Sequence, residues 1–219
     1  MVRSHIVFIV PAKDEEKTIL QVIQSVLKYG DLILVNDGSV DQTYEIAKKY
    51  DIKIINNIDN IGYQKSIIKG LSEAKKLNYK YAITFDADNQ HSEENINLFI
   101  NKLDLNYDLV IGERSFFNRI SEKILSIFTS FLLGTHDILS GMKAYKLDSL
   151  NPDYLVFKKN TYCAELTFRI IKNKHKYINI PIKIKKRTDK SRLGNNILVN
   201  IKITSIIFYL FYKITIRSF

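Results

Sequence analysis

The sequence predicts an α/β fold in which one mainly parallel sheet is covered by helices on both faces. Three observations carry that expectation. Short apolar runs of strand length alternate with stretches whose apolar residues recur at helical spacing. The runs are apolar throughout, as strands buried on both faces are. Unusual polar clusters follow the runs, at the carboxyl ends of strands, where sheets of this kind bind ligands.

"HIVFIV" (5–10) is the first such strand, and "DEEKTILQVIQSVLKY" (14–29) follows as a helix with Asp14 as its N-cap. "DLILV" (31–35), "IKII" (52–55), "YAITF" (81–85) and "DLVIG" (108–112) are further strands. Helical stretches at 41–50, 63–77 and 92–103 separate them. Residues 1–194 are expected to form one domain, with 195–219 as an appended apolar and basic helix.

Composition narrows the function. The one cysteine, Cys163, excludes an internal disulfide and a cysteine cluster for zinc, and fits a reducing compartment. The N-terminal apolar stretch is too short for a signal-peptide core, so a cytosolic setting is expected. Net charge is +10, unevenly spread: from Arg169 onward there are 13 Lys and Arg against one acid, Asp189, so the first 168 residues carry −2. That basic quarter suits nucleic acid, an anionic membrane surface or a phosphorylated substrate.

The clusters carry the chemistry. "PAKDEE" (11–16) follows the first strand. In "NDGSVDQT" (36–43), Gly38 permits a tight turn, Ser39 and Asp41 can cap the next helix, and Asp37 is left to accept hydrogen bonds from a ligand. A purely structural turn explains that string as well. "DADNQH" (86–91) is sharper: Asp86, Asp88 and the amide oxygen of Gln90 suit a hard divalent cation, Mg²⁺ or Mn²⁺, which proteins hold with one or two carboxylates plus substrate phosphates. His91 is expected to line the pocket, because such a cation prefers oxygen.

The ordered set "PAKDEE", "VNDGSVDQT", "NIGYQKSIIKG", "DADNQH", "GERS", "DILSGMKAY", "ELTFRI" and "IPIKIKKRTDKSRLG" resembles the family 2 glycosyltransferases of GT-A fold, nearest the dolichyl-phosphate mannosyl- and glucosyltransferases. The resemblance spans about residues 5 to 194. It implies an inverting transfer of a hexose, mannose or glucose, from GDP-mannose or UDP-glucose to a polyprenyl (dolichyl) phosphate. It further implies that Pro11, Ala12, Glu15 and Asp37, with Gly38 and Ser39, hold the nucleotide. Asp86, Ala87, Asp88 and Gln90 form the metal loop, and Arg114 lies near the acceptor phosphate. The chain departs from the family pattern at Asn36, Gln64, Ser66 and Lys13, which leaves the donor's base open.

Sugar transfer leaves negative charge on the departing diphosphate, and a cation clamped by Asp86 and Asp88 stabilises it. A phosphate monoester acceptor is already ionised near neutral pH, with second pKa about 6, so it needs cationic positioning more than a base. Arg114, Arg187 and Arg192, with Lys190 and the neutral donor Ser191, are the candidates; Arg119, Lys185 and Lys186 read as solvated surface charges. Asp137, beside Ser140 and Gly141, could orient an arginine, act as a base or cap a turn. Glu165 reads either as a favourable charge at a helix start or as a pocket acid.

Two stretches bear on a membrane. In 116–133, Ile120, Ile124, Ile127 and Phe131 share one helical face, with Asn118, Ser121, Glu122 and Ser126 opposite. In 196–219, Lys202, Ser205, Tyr209 and Lys213 form a narrow stripe on an otherwise apolar helix, and the uncharged run between the lysines is too short to cross a bilayer comfortably. A peripheral protein on the cytoplasmic face of a membrane, lying in the interface, is expected; packing on the domain or on a membrane partner subunit is the alternative. Nucleic acid is not expected, since the tail's aromatics sit in an aliphatic run and do not interleave with its basic residues. A hydroxyl-acceptor transferase and a non-catalytic scaffold for a membrane transferase stay open, the latter weakened by the intact Asp86, Asp88 and Gln90.

Overall fold

A computed structural model describes residues 5–117, 119–185 and 197–215. Among the described residues seven strands form one sheet: β1 Ile6–Ala12, β2 Asp31–Asp37, β3 Lys53–Asn57, β4 Tyr81–Thr84, β5 Leu109–Arg114, β6 Lys143–Lys146 and β7 Tyr177–Ile182, in the order β3-β2-β1-β4-β6-β5-β7. All pairings are parallel except those of β6, which runs antiparallel between β4 and β5. The helices are α1 Ile19–Val26, α2 Thr43–Ala47, α3 Tyr63–Lys76, α4 Glu93–Leu103, α5 Ile120–Leu133, α6 Ala164–Lys172 and α7 Ile197–Thr215.

Alternation along β1 shows why the sheet is sandwiched. Ile6, Phe8, Val10 and Ala12 pack with α1 and α4, while Val7 and Ile9 pack with α3 and α6 on the other face. Both side-chain sets are buried, which requires cover on both faces. A third apolar cluster joins α5, α6 and α7 through Leu125, Phe168, Ile203, Ile206 and Leu210.

Several local expectations are corrected. The first helix begins at Ile19, not after Asp14; Asp14 has φ 51° and its Oδ1 accepts from the Val40 amide at 2.8 Å. Ser39 does not cap α2, since its hydroxyl accepts from the Asp14 amide at 3.0 Å; Asp41 does serve the start of α2, its Oδ1 accepting from the Thr43 amide at 2.9 Å. The bonds of Asp14 to Val40 and Ser39, with Glu15 N to Thr43 Oγ1 at 2.7 Å and Glu16 N to Asp41 Oδ2 at 3.0 Å, stitch the loop after β1 to the loop after β2. Polar side chains that could have capped helices in isolation instead fix two loops of the ligand edge to each other.

Candidate active site

Parallel strands bring the exits of β1, β2, β4 and β5 to one edge of the sheet, and antiparallel β6 delivers the loop before it, 137–142, to that same edge. Pro11 and Ala12 end β1, with Ala12 buried, and Glu15 follows, its carboxylate accepting from Thr18 Oγ1 at 3.1 Å. Gly38 is required at the exit of β2, because φ is +66° and a Cβ would stand 2.9 Å from the backbone of Asp59 and Asn60. Asp37 is not left over, as its loop suggested. It is buried, and its Oδ1 accepts from Ile61 N at 2.8 Å and Asn57 Nδ2 at 3.2 Å, its Oδ2 from Gly62 N at 2.9 Å. It therefore also sets the backbone that starts α3.

At the exit of β4, Asp86 lies with its side chain about a third exposed (31%), Oδ2 against His91 Nε2 at 3.5 Å and Oδ1 accepting from Tyr63 OH at 3.2 Å. Burial, the largest influence, pushes its carboxyl up, but the hydrogen bonds from His91 and Tyr63 and the charge of Arg114 outweigh it and hold it below the usual carboxylate value. Two residues on, Asp88 Oδ1 accepts from Gln90 N at 3.2 Å across left-handed Asn89. Gln90 spends its Nε2 on Lys185 O at 3.0 Å, which orients the amide. Ala87 is buried between them.

Among the described residues no three His, Cys, Asp or Glu side chains converge into a metal cage. The donors present are an ionised carboxylate, a second carboxylate and an amide, all oxygen chemistry. That set fits a hard divalent cation completed by phosphate oxygens and does not fit a self-sufficient zinc site. The imidazole of His91 is buried against Phe85 and turned to Asp86, so it orients the carboxylate, as outer partners of metal ligands do.

Arg114, the last residue of β5, meets Asp137 with Nε to Oδ2 at 2.6 Å and Nη2 to Oδ1 at 2.8 Å. The guanidinium also lies over the Phe117 ring, 5.4 Å from its centroid. Burial alone would lower its pKa; the hydrogen bonds and charge of Asp137 outweigh that and raise it, so the charge is permanent. Of the three readings of Asp137, the geometry is that of orienting an arginine. Ser140 is buried, with its hydroxyl donating to Met142 O at 3.4 Å.

The family model described as glycosyl transferase family 2 matches residues 7–140. The chain belongs to that family. This glycosyltransferase is 30% identical to an uncharacterized protein of Methanocaldococcus jannaschii, over 92% of this chain and 90% of that one. It is 29% identical to the UDP-N-acetylglucosamine–dolichyl-phosphate N-acetylglucosaminyltransferase of Methanococcus voltae, over 90% of this chain and 92% of that one. It is 25% identical to the polyprenol monophosphomannose synthase of Mycolicibacterium smegmatis, over 71% and 67% respectively. Among solved structures, glucosyl-3-phosphoglycerate synthase of Mycobacterium tuberculosis, in complex with Mn²⁺, UDP and glucosyl-3-phosphoglycerate, superposes with TM-score 0.72 at 17% identity, over 96% of this chain and 80% of that one. The architecture is the expected GT-A fold.

Three residues that shape the candidate site carry no local signal of it in the sequence. Tyr63 reads in sequence as a helix residue, yet its phenol, pushed up by burial, is a donor to Asp86. Gly141 is where a Cβ would fall 2.0 Å from Asp86 Oδ2. Lys143 is buried and donates from Nζ to Ile138 O at 2.9 Å and Ser140 O at 2.7 Å, clamping the loop that carries Asp137. Arg187, Lys190, Ser191 and Arg192, with Lys186, lie outside the described residues. Arg119 is not the solvated charge expected of it: it is 8% exposed and pairs with Glu122 at 2.9 Å, closing the first turn of α5. Glu165 is sealed among α6 and α7, bonded by Arg169 Nη2 at 2.6 Å.

Proposed function

We propose that this family 2 glycosyltransferase moves a hexose from a nucleotide sugar to a polyprenyl phosphate with inversion. The observation that carries the acceptor class is Arg114: its partner carboxylate is sealed at 1% exposure while the guanidinium keeps 24%, so a fixed cation is presented at the ligand edge. A phosphate acceptor matches that planar fork. In the reaction an acceptor phosphate oxygen attacks the anomeric carbon as the bond from that carbon to the nucleoside diphosphate breaks. The proton was already lost to solvent, so no strong base is needed.

Pro11, Ala12, Glu15, Asp37, Gly38 and Ser39 line the nucleotide side in this reading. Asp86, Asp88 and Gln90 would hold Mg²⁺ or Mn²⁺, which when bound neutralises charge on the departing diphosphate. His91 and Tyr63 keep Asp86 aimed and ionised, and Arg114 with Ser140, and Arg187, Ser191 and Arg192 from the segment after β7, serve the acceptor. The dolichyl- and polyprenol-linked activities in the names of the Methanococcus and Mycolicibacterium relatives support this class. A hydroxyl acceptor would need Asp137 as base, and a carboxylate gripped on both oxygens is ill placed for that. Because its acceptor is a lipid, the enzyme is assigned to the cytoplasmic face of a membrane as a peripheral protein.

The test is calorimetry with GDP and UDP, with and without Mn²⁺, on the wild type and Asp88→Ala, paired with transfer and donor-hydrolysis assays on Arg114→Ala. Metal-dependent binding of one nucleotide, lost in Asp88→Ala, is expected, and the favoured base names the donor. Arg114→Ala should lose transfer while slow donor hydrolysis persists. Nucleotide binding indifferent to metal and mutation, or equal loss of both activities in Arg114→Ala, would overturn the assignment.

A further inference from the structure

We propose that α5 and α7 form one lipid-docking platform that seats the protein in the interface of an anionic bilayer. The inference deepens the membrane assignment above, on which it rests only for the presence of a lipid substrate.

Helix α5 turns polar side chains inward, beside buried Leu125 and Leu133, and apolar ones outward. Ser121, Glu122, Ser126 and Thr129 face the interior, while Ile120, Ile124, Ile127 and Phe131 are 75, 51, 72 and 89% exposed. A helix on a water-facing surface shows the opposite arrangement. Three of the inward polar groups have partners inside the molecule: Glu122 has Arg119, Ser121 has Asn200 Oδ1 on α7 at 2.7 Å, and Thr129 has Thr135 O at 2.8 Å. The orientation is thus built into the packing.

Helix α7 is apolar on both its inner and its outer face. Its buried Val199, Ile203, Ile206 and Leu210 lie on the third core cluster, and Leu198, Ile201, Phe208 and Phe211 face outward. The polar stripe foreseen for this helix is split. Tyr209 and Lys213 turn inward to sealed Glu165, with Lys213 Nζ 3.8 Å from Oε1, and Lys159 Nζ donates to Ser205 O at 3.3 Å. Lys213 is thereby withdrawn from the outer face, while Lys202 stays exposed. By length and composition alone the 19-residue helix could cross a membrane, but one face is committed to the domain. Phe128 and Phe211, with ring centroids 6.5 Å apart, join the two helices.

Charge selects the occupant. The exposed charged side chains described on the two helices are Lys123 and Lys202; Glu122 is buried and α7 has no acid. With two exposed lysines and no exposed acid on either helix, that face complements anionic head groups, whereas a second +10 copy would bring like charges together. An apolar surface that also carries lysines is the pattern of helices that lie in an interface.

The chain has no tryptophan, so single tryptophans report cleanly. The full chain carrying Phe131→Trp, Phe208→Trp or, as control, Ile58→Trp, which is 95% exposed outside the platform, is mixed with vesicles of phosphatidylglycerol and brominated phosphatidylcholine. No nucleotide or polyprenyl phosphate is present, so the result does not depend on the proposed reaction. Blue-shifted, quenched emission at 131 and 208 but not at 58 is expected. Phe131→Asp should weaken vesicle partitioning roughly tenfold, the loss expected for one large apolar anchor. Equal change at 58, no change at 131, or a shift at 131 that needs no vesicles and grows with protein concentration would overturn the proposal, the last in favour of a self-interface. Resistance to alkaline carbonate extraction would overturn it in favour of a spanning helix.

Discussion

Arg114 and Asp137, 23 residues apart in sequence, meet as a two-point pair in which the carboxylate is sealed and the guanidinium reaches the ligand edge. The pair closes β5 against the loop before β6, so it joins that loop to the sheet at the ligand edge.

Asp137→Asn tests that coupling. An amide puts a donor against the guanidinium's own donors, so the fork loses one contact and its aim. Transfer should fall about a hundredfold, the scale of a small misplacement of a positioning group, while nucleotide affinity stays unchanged. Stability should drop by about 3 kcal/mol, since a partly buried cation loses its counter-charge; assays with both substrates and denaturant melts read the two effects separately.

Gly141→Ala should remove metal-dependent nucleotide binding without unfolding the chain. Its methyl would fall 2.0 Å from Asp86 Oδ2, so the carboxylate has to swing away from His91 and Tyr63. Calorimetry should show nucleotide affinity that no longer responds to Mn²⁺, beside a circular dichroism spectrum like that of the wild type.

Gln64→Ala should cost stability more than chemistry. The Gln64 amide oxygen accepts from Thr161 N at 2.8 Å, Thr161 Oγ1 at 3.1 Å and Cys163 N at 3.0 Å, and its nitrogen donates to Lys159 O at 3.0 Å. It pins a segment where Tyr162 and Cys163 both have positive φ, at 50° and 64°. Orphaning those buried groups is expected to destabilise by about 3 kcal/mol, measurable as a lower denaturation midpoint, with the residual folded enzyme keeping its nucleotide affinity.

Cys163 should resist alkylation in the native enzyme. Burial pushes its thiol up to about 12, and only the thiolate is nucleophilic, so from pH 7 to 9 the group stays protonated as well as covered. Iodoacetamide at pH 8 should label the unfolded chain at the ordinary rate of a free thiol and leave the native chain unlabelled; rapid native labelling would show that the 159–165 segment opens.

By itself the sequence determined the alternation of strands and helices, the sandwiching of the sheet and the edge at which Asp86, Asp88 and Arg114 gather. Those features follow from local periodicity and from strand direction, both carried within short windows of chain. Tertiary structure decided the rest. Strand β6 is four residues long, and only its neighbours make it antiparallel. Asp14, Ser39 and Asp37 look in sequence like a cap, a cap and a ligand acceptor, but each found a partner in another loop, because a polar side chain bonds whatever the fold brings within reach. The same holds for Asp137, whose three readings reduced to one when Arg114 arrived beside it. A helical pattern also fixes that α5 has an apolar and a polar face without fixing which turns outward. That choice depends on whether the partners of Ser121, Glu122 and Thr129 lie inside the molecule, and here they do.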